Sequence, residues 1–186
     1  HFRRRITLIG DGELLGTIYL GTSPGFRQVH ARNDLGDAIY SIAFNAFDAP
    51  AEADEWLDRK LLQVGNPEAI TGPGFSLERR DNRWLNSAGK APDDRELQAL
   101  LLGLASLQVE AVADEDDQRS LAETEPALSL RIGDDQGEIT LELFQLGDGY
   151  AVYHSRHPVF FTVSAYDFDR LTGVAFDRLA GDADSG

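Results

Sequence analysis

His154-Ser-Arg-His157 is the closest pair of histidines in the chain. Two imidazoles could hold a metal ion or relay a proton. On one strand, residues three apart face opposite sides, so the pair converges only if the chain turns sharply at residues 156–158. His30 is a further candidate, because its strand is expected to hold the place in one β-unit that His154 holds in another. A histidine metal site takes three or four ligands at about 2.0–2.2 Å. The chain has four histidines and no cysteine, so these residues read as strand and turn histidines and no metal is expected.

A second candidate is the loop Gly21-Thr-Ser-Pro-Gly25 with the strand after it. Backbone N–H groups, two hydroxyls and nearby guanidinium groups could receive a small anion or a sugar. Thr22, Ser23, Gly25, Arg27, His30 and Arg32 are the residues that would bind it. The loop lacks the lysine and the following helix of a phosphate-binding loop, and a β-turn that needs Pro and Gly explains it as well.

The carboxylates give less. Asp114-Glu-Asp-Asp117 lacks the alternation and central Gly of a calcium loop and reads as a solvated charge run. Asp167 and Asp169, with Asp48 in the place of Asp169, would need a cleft to act as a catalytic pair. Helix capping explains Asp167 and Asp48 with less assumption. Ser23, Ser41 and Ser164 sit in no Gly-x-Ser-x-Gly elbow. No catalytic residue and no cofactor is therefore assigned.

The elements that carry these residues show an internal repeat. Ala38-Ile-Tyr-Ser-Ile-Ala-Phe-Asn-Ala-Phe-Asp48 returns as Val159-Phe-Phe-Thr-Val-Ser-Ala-Tyr-Asp-Phe-Asp169. Ile6-Thr-Leu-Ile-Gly-Asp11 matches Leu128-Ser-Leu-Arg-Ile-Gly-Asp134, and Tyr19-Leu-Gly21 matches Gln145-Leu-Gly147. Alternating apolar runs and Asp-Gly turns predict four strands in residues 6–44 and four in residues 128–165. On the third strand, His30 and Arg32 should share one face, and Val29 and Ala31 the other.

A short helix is expected over Asp54–Leu62, with Trp56, Leu57 and Leu61 on the core. A hairpin follows, Ile70–Arg80 and Trp84-Leu85, turned at Asp81-Asn82. Leu97, Leu100, Leu101, Leu104 and Leu107 recur at helical spacing. Asp93 and Glu96 are placed to form a capping box at the start of that helix, and Gly103 to admit a close neighbour. Residues 113–126 read as an exposed loop or a frayed extension of that helix. Asp167 is expected to cap a last short helix.

The fold class is α+β: two repeated antiparallel β-units, each of about four strands plus a short helix, flanking a ββα insert. The boundaries are 1–64 for the first β-unit, 65–126 for the insert with its acidic loop, 127–180 for the second β-unit and 181–186 for a tail. Together they make one or two compact domains. Phe160 and Phe161 face opposite sides of one strand, which makes that strand the expected apolar contact surface.

Composition narrows the partners. The 186 residues carry 17 basic and 32 acidic side chains, a net charge of −15. Such a chain does not fit nucleic acid or an electrostatic hold on anionic lipid. Only Lys60 and Lys90 are lysines; the arginine bias reads as codon usage in a GC-rich genome rather than as salt adaptation. No apolar run reaches the roughly 18–20 residues of a membrane span. With no Met and His1 first, the chain is expected to be a piece of a longer product.

Tyr19–Arg32, the unit Phe75-Ser-Leu-Glu-Arg-Arg-Asp-Asn-Arg-Trp84, Ala91-Pro-Asp93 and the helix end Leu104-Ala-Ser-Leu107 together resemble the bacterial domain-of-unknown-function family 4340. The resemblance runs from Ile6 to Leu171. It implies an amino-terminal membrane anchor, an extracytoplasmic body at the inner membrane, and genes that neighbour ABC-type transport systems of the gliding-motility kind. It implies no catalytic residues. The expected role is a non-catalytic interaction or scaffold domain that binds a protein partner, such as a transporter subunit, through an exposed strand edge. A small-ligand protein using the 22–32 loop is the alternative, and a hydrolase with an unrecognised His or carboxylate site the third.

Overall fold

The computed structural model describes residues 2–45, 49–50 and 53–181. The chain divides into two compact units at Trp56/Leu57. Both contain antiparallel sheet, the second also contains four helices, and the class is α+β.

The first unit is a four-stranded meander, β1 (Arg4–Gly10), β2 (Glu13–Leu20), β3 (Gln28–Asn33) and β4 (Tyr40–Ala43), in the order β1-β2-β3-β4. Asp11 and Gly12 both have positive φ, which turns β1 tightly into β2. Leu20, Val29 and Ala31 form its small buried core, with Ile6, Ile18 and Phe44 partly buried against them.

The helix expected over Asp54–Leu62 is not formed. One 3-10 turn spans Ala53–Trp56. Asp58 then competes for the backbone: its Oδ1 accepts from Lys60 N at 2.9 Å and its carbonyl from Leu61 N at 3.0 Å. Such a local turn replaces helical bonding. Trp56 is exposed rather than in the core, and its Nε1 donates to the Pro50 carbonyl at 3.1 Å. Leu62 is buried in the core of the second unit, with Leu57 and Leu61 packed against it.

The second unit holds an eight-stranded sheet and four helices. Its first part is β5 (Ala69–Gly72), β6 (Phe75–Arg80), β7 (Arg83–Asn86), α1 (Asp94–Ser106), β8 (Val109–Val112) and α2 (Glu115–Leu121). Its second part is β9 (Leu128–Asp134), β10 (Gly137–Leu146), β11 (Gly149–His154), β12 (His157–Val163), α3 (Ala165–Thr172) and α4 (Phe176–Ala180). The strand order is β7-β6-β5-β9-β10-β11-β12-β8. Residues 65–126 and 127–180 therefore share one sheet.

Three local expectations are corrected. The run Ile70–Arg80 is two strands, because Pro73-Gly74 turns the chain and Gly74 takes positive φ. The acidic stretch 113–126 holds a helix: Asp114 Oδ1 accepts from Asp116 N and Asp117 N, so the charge run is an N-cap and first turn. The capping box at α1 is only half made. Asp93 accepts from Arg95 N and Glu96 N, but Glu96 turns away and accepts from Ala175 N at 3.0 Å.

One face of the large sheet packs under α1, α3 and α4 around Leu100, Leu104, Leu130, Ile132, Leu141 and Leu171. The absence of a Cβ at Gly103 lets α1 and α3 approach: a Cβ there would lie 2.6 Å from Leu171 Cδ2. On the other face α2 covers Phe144 and Ala151. No helix of the described residues is long and apolar enough to cross a membrane.

Candidate functional site

Strand β3 separates the six residues expected to bind a ligand. Its alternation buries Val29 and Ala31 and leaves His30 and Arg32 half-buried. Thr22, His30 and Arg32 line a pocket of about 410 Å³ together with Phe2, Tyr19 and Ile39. Ser23, Gly25 and Arg27 line a different hollow of about 670 Å³ over Leu20 and Val29.

The smaller pocket is mainly apolar. Thr22 Oγ1 lies 3.2 Å from His30 Nδ1. The Arg32 guanidinium sits 4.8 Å from the centre of the Tyr19 ring and 3.7 Å from Asp37. Phe2 and Tyr19 pack with centroids 5.0 Å apart. A flat ligand with an anionic edge suits these walls, since an aromatic floor and a guanidinium recognise those two properties.

The Gly-rich loop uses its polar groups internally. Ser23 Oγ lies 2.6 Å from the carbonyl oxygens of both Gly25 and Gln28, so its hydroxyl faces acceptors. Gly21 N donates to His30 O, and Gln28 N to Gly25 O. Arg27 adopts positive φ and lays its guanidinium 5.3 Å from the Phe26 ring centre.

The most distinctive property of the first unit is apolar exposure. Leu8, Ile9, Leu14 and Leu15 are exposed around the β1–β2 turn. Ile39, Tyr40 and Ile42 are exposed along β4, an edge strand with all four residues open to solvent. Tyr40 pairs with the buried Ala31, and Ile42 with the buried Val29, so both sit on the sheet's core-forming face. An edge strand of this kind presents unpaired N–H and C=O groups beside apolar side chains, which is a template for another strand.

The surface expected at Phe160-Phe161 is covered. Phe161 is core, and Phe160 packs on Phe144 and Tyr153 at centroid distances of 5.3 and 5.4 Å. Gln118 of α2 caps the backbone there: Oε1 accepts from Phe160 N at 2.9 Å, and Nε2 donates to Phe160 O at 2.8 Å. The strand has both faces filled, which the sequence pattern did not separate from one filled face.

His154 and His157 do converge. A tight turn makes them cross-strand partners with ring centroids 5.7 Å apart. His154 Nδ1 accepts from Arg156 N at 3.2 Å, which puts the neutral ring's proton on Nε2. Burial holds the His154 pKa down to about 4, with help from the positive charges of His157 and Arg156 and against Asp134. Arg156 makes a two-pronged bond to Asp134 at 2.9 and 2.6 Å, which lowers the Asp134 pKa and raises that of Arg156. These groups line a polar pocket of about 340 Å³. His30 lies in the first unit and His154 in the second. Among the described residues, no group of three or more His, Asp or Glu is placed to hold a metal ion.

Asp167 is not the cap of the last helix pair. Ser164 caps α3, its Oγ accepting from Asp167 N at 3.1 Å and donating to Asp167 Oδ2 at 2.9 Å. The N-cap therefore lies three residues ahead of the residue the sequence pattern pointed to. Asp48 lies outside the described residues.

A family model described as "Domain of unknown function (DUF4340)" matches residues 3–127. No curated protein and no solved structure matches the chain.

Proposed function

The chain belongs to the DUF4340 family of domains of unknown function, and from that premise we propose that it is a non-catalytic interaction or scaffold domain. It takes up polypeptide on the sheet formed by β1–β4. The observation that carries this reading is the open β4 edge with Tyr40 and Ile42 exposed on the same face as the small core. Main-chain hydrogen bonds along β4 would supply affinity, and the apolar side chains beside it selectivity. The two matching strand patterns, Ala38–Asp48 and Val159–Asp169, support a scaffold assembled from repeated β-units.

The finer setting rests on the family resemblance. It is an extracytoplasmic body at the bacterial inner membrane, anchored through a segment other than those described, and an accessory of an ABC-type transport system. Affinity capture of the anchored parent protein from its native envelope tests this. Transporter subunits that co-purify with the natural sequence and are lost with Ile42→Asp support the reading. Equal recovery by both removes the role assigned to β4.

The pocket beside Tyr19 supports the second reading, a small-ligand protein. It has the concavity and the few polar groups that ligand sites use. An aromatic carboxylate that binds the natural chain and not Arg32→Ala would favour it.

A further inference from the structure

The two meanders β1–β4 and β9–β12 follow the same antiparallel order, and their sequences match strand for strand at the edges. The matches place Leu8 with Leu130, Tyr40 with Phe161 and Ile42 with Val163. Their surroundings are opposite. Leu130 is 0% exposed and Leu8 is 47% exposed. Phe161 and Val163 are 3% and 4% exposed, and Tyr40 and Ile42 are 61% and 37%.

The larger sheet shows what makes the difference. β5 pairs with the free side of β9, and β8 with the free side of β12. Between them in sequence runs α1, whose Leu97, Leu100, Leu104 and Leu107 join the core formed by Leu130, Ile132, Phe161 and Val163. Segment Ala69–Val112 thus closes both edges of the β9–β12 meander and, with α3 and α4, covers its apolar face. Among the described residues β1 and β4 are the outermost strands of the first sheet. A hollow of about 670 Å³ lies over Leu20, Val29 and Phe44, on the face where the larger sheet carries helices.

We propose that the β1–β4 sheet is the receiving half of a second module of the same design. Its occupant is a β-strand–helix–β-strand segment of the Ala69–Val112 type, with a leucine-striped helix over the exposed Tyr40 and Ile42 beside the small core and strands against β1 and β4. This names the polypeptide taken up at β4 as a segment of the parent protein in place of a transporter subunit, and it rests only on the reading that β4 takes up polypeptide. A second copy of this chain does not fit as the donor. Among the described residues there are two receiving sheets and one donor segment, and that donor is already built into the β9–β12 sheet. In that complete module the donor precedes the receiving strands, with α2 between them. The same order puts the missing donor on polypeptide joined ahead of β1.

The test is the full chain carrying a second copy of its own residues 57–127 joined ahead of residue 2. The readout is hydrogen exchange at Tyr40–Ala43, with Phe161–Val163 as the internal standard of a closed edge. The expected result is a slowing at Tyr40–Ala43 of about 100-fold or more, reversed by Ile42→Asp with Phe161–Val163 still slow. Unchanged exchange overturns the half-module. If exchange then slows on adding a purified polypeptide captured from the envelope, strand uptake at β4 stands with a different partner. If neither addition slows it, both the half-module and the uptake reading fall.

Discussion

His154 and His157 face one another across the turn between β11 and β12, with ring centroids 5.7 Å apart. Only His154 is buried, and its Nδ1 is committed to Arg156 N. His154 is a turn residue whose neutral form the fold favours.

That preference makes stability depend on pH. The folded His154 pKa of about 4 lies below the ordinary 6.5, so the unfolded chain binds the extra proton between these values. Stability from this group is complete above pH 6.5 and falls as pH drops toward 4, by up to about 3 kcal/mol. Urea unfolding of the natural chain and of His154→Gln across this window checks it. The natural curve should fall more steeply; parallel curves would refute the assignment.

Gly103 is where α1 and α3 touch. Gly103→Ala gains about 1 kcal/mol of helix propensity, but its methyl would stand 2.6 Å from Cδ2 of the fully buried Leu171. Overpacking of this kind costs about 1–3 kcal/mol. The expected net effect is a lower urea midpoint. The pair Gly103→Ala with Leu171→Val should recover part of the loss.

Asn86 ties the end of β7 to α4. Its Oδ1 accepts from Ala88 N at 3.1 Å and Lys90 N at 2.9 Å, and its Nδ2 donates to Ala180 O at 3.0 Å. Asn86→Ala leaves these groups without that partner in a half-buried setting and should cost about 2–4 kcal/mol. Hydrogen exchange should report the first loosening in residues 176–180.

Matched positions in the two meanders should respond differently to charge. Phe161→Lys places a cation in a packed core and should cost more than about 4 kcal/mol or prevent folding. Tyr40→Lys, at an open edge, should change stability by no more than about 0.5 kcal/mol. It should also reduce self-association, because a charged edge strand resists pairing. Thermal unfolding and light scattering of the two variants separate these outcomes.

The sequence is legible where one physical signal dominates. The leucines of α1 recur at helical spacing and Asp93 caps it, and the alternation of β3 places Val29 and Ala31 inside. That the helical pattern over 54–62 fails was not legible, because Asp58 diverts the backbone after the pattern has begun. β8 has four residues and α2 seven, too short to show a period against an acidic background. Burial was the least legible property. Tyr40 and Phe161 sit in matching patterns, and only the neighbours supplied by β8 and α1 distinguish them. For the same reason the pattern could place His30 and Arg32 on one face of β3, but not separate them from Ser23, Gly25 and Arg27, which depends on where the loop before β3 turns.

The central claim is that the β1–β4 sheet takes up polypeptide at β4. A photoreactive residue at Ile42 in the parent protein, illuminated in the cells that make it, tests it most directly, with the exposed Leu102 of α1 as the comparison position. The account predicts a discrete polypeptide adduct, within the parent or to a partner, from position 42 and none from position 102. Reaction with water alone at position 42, or the same adducts from both positions, would contradict it.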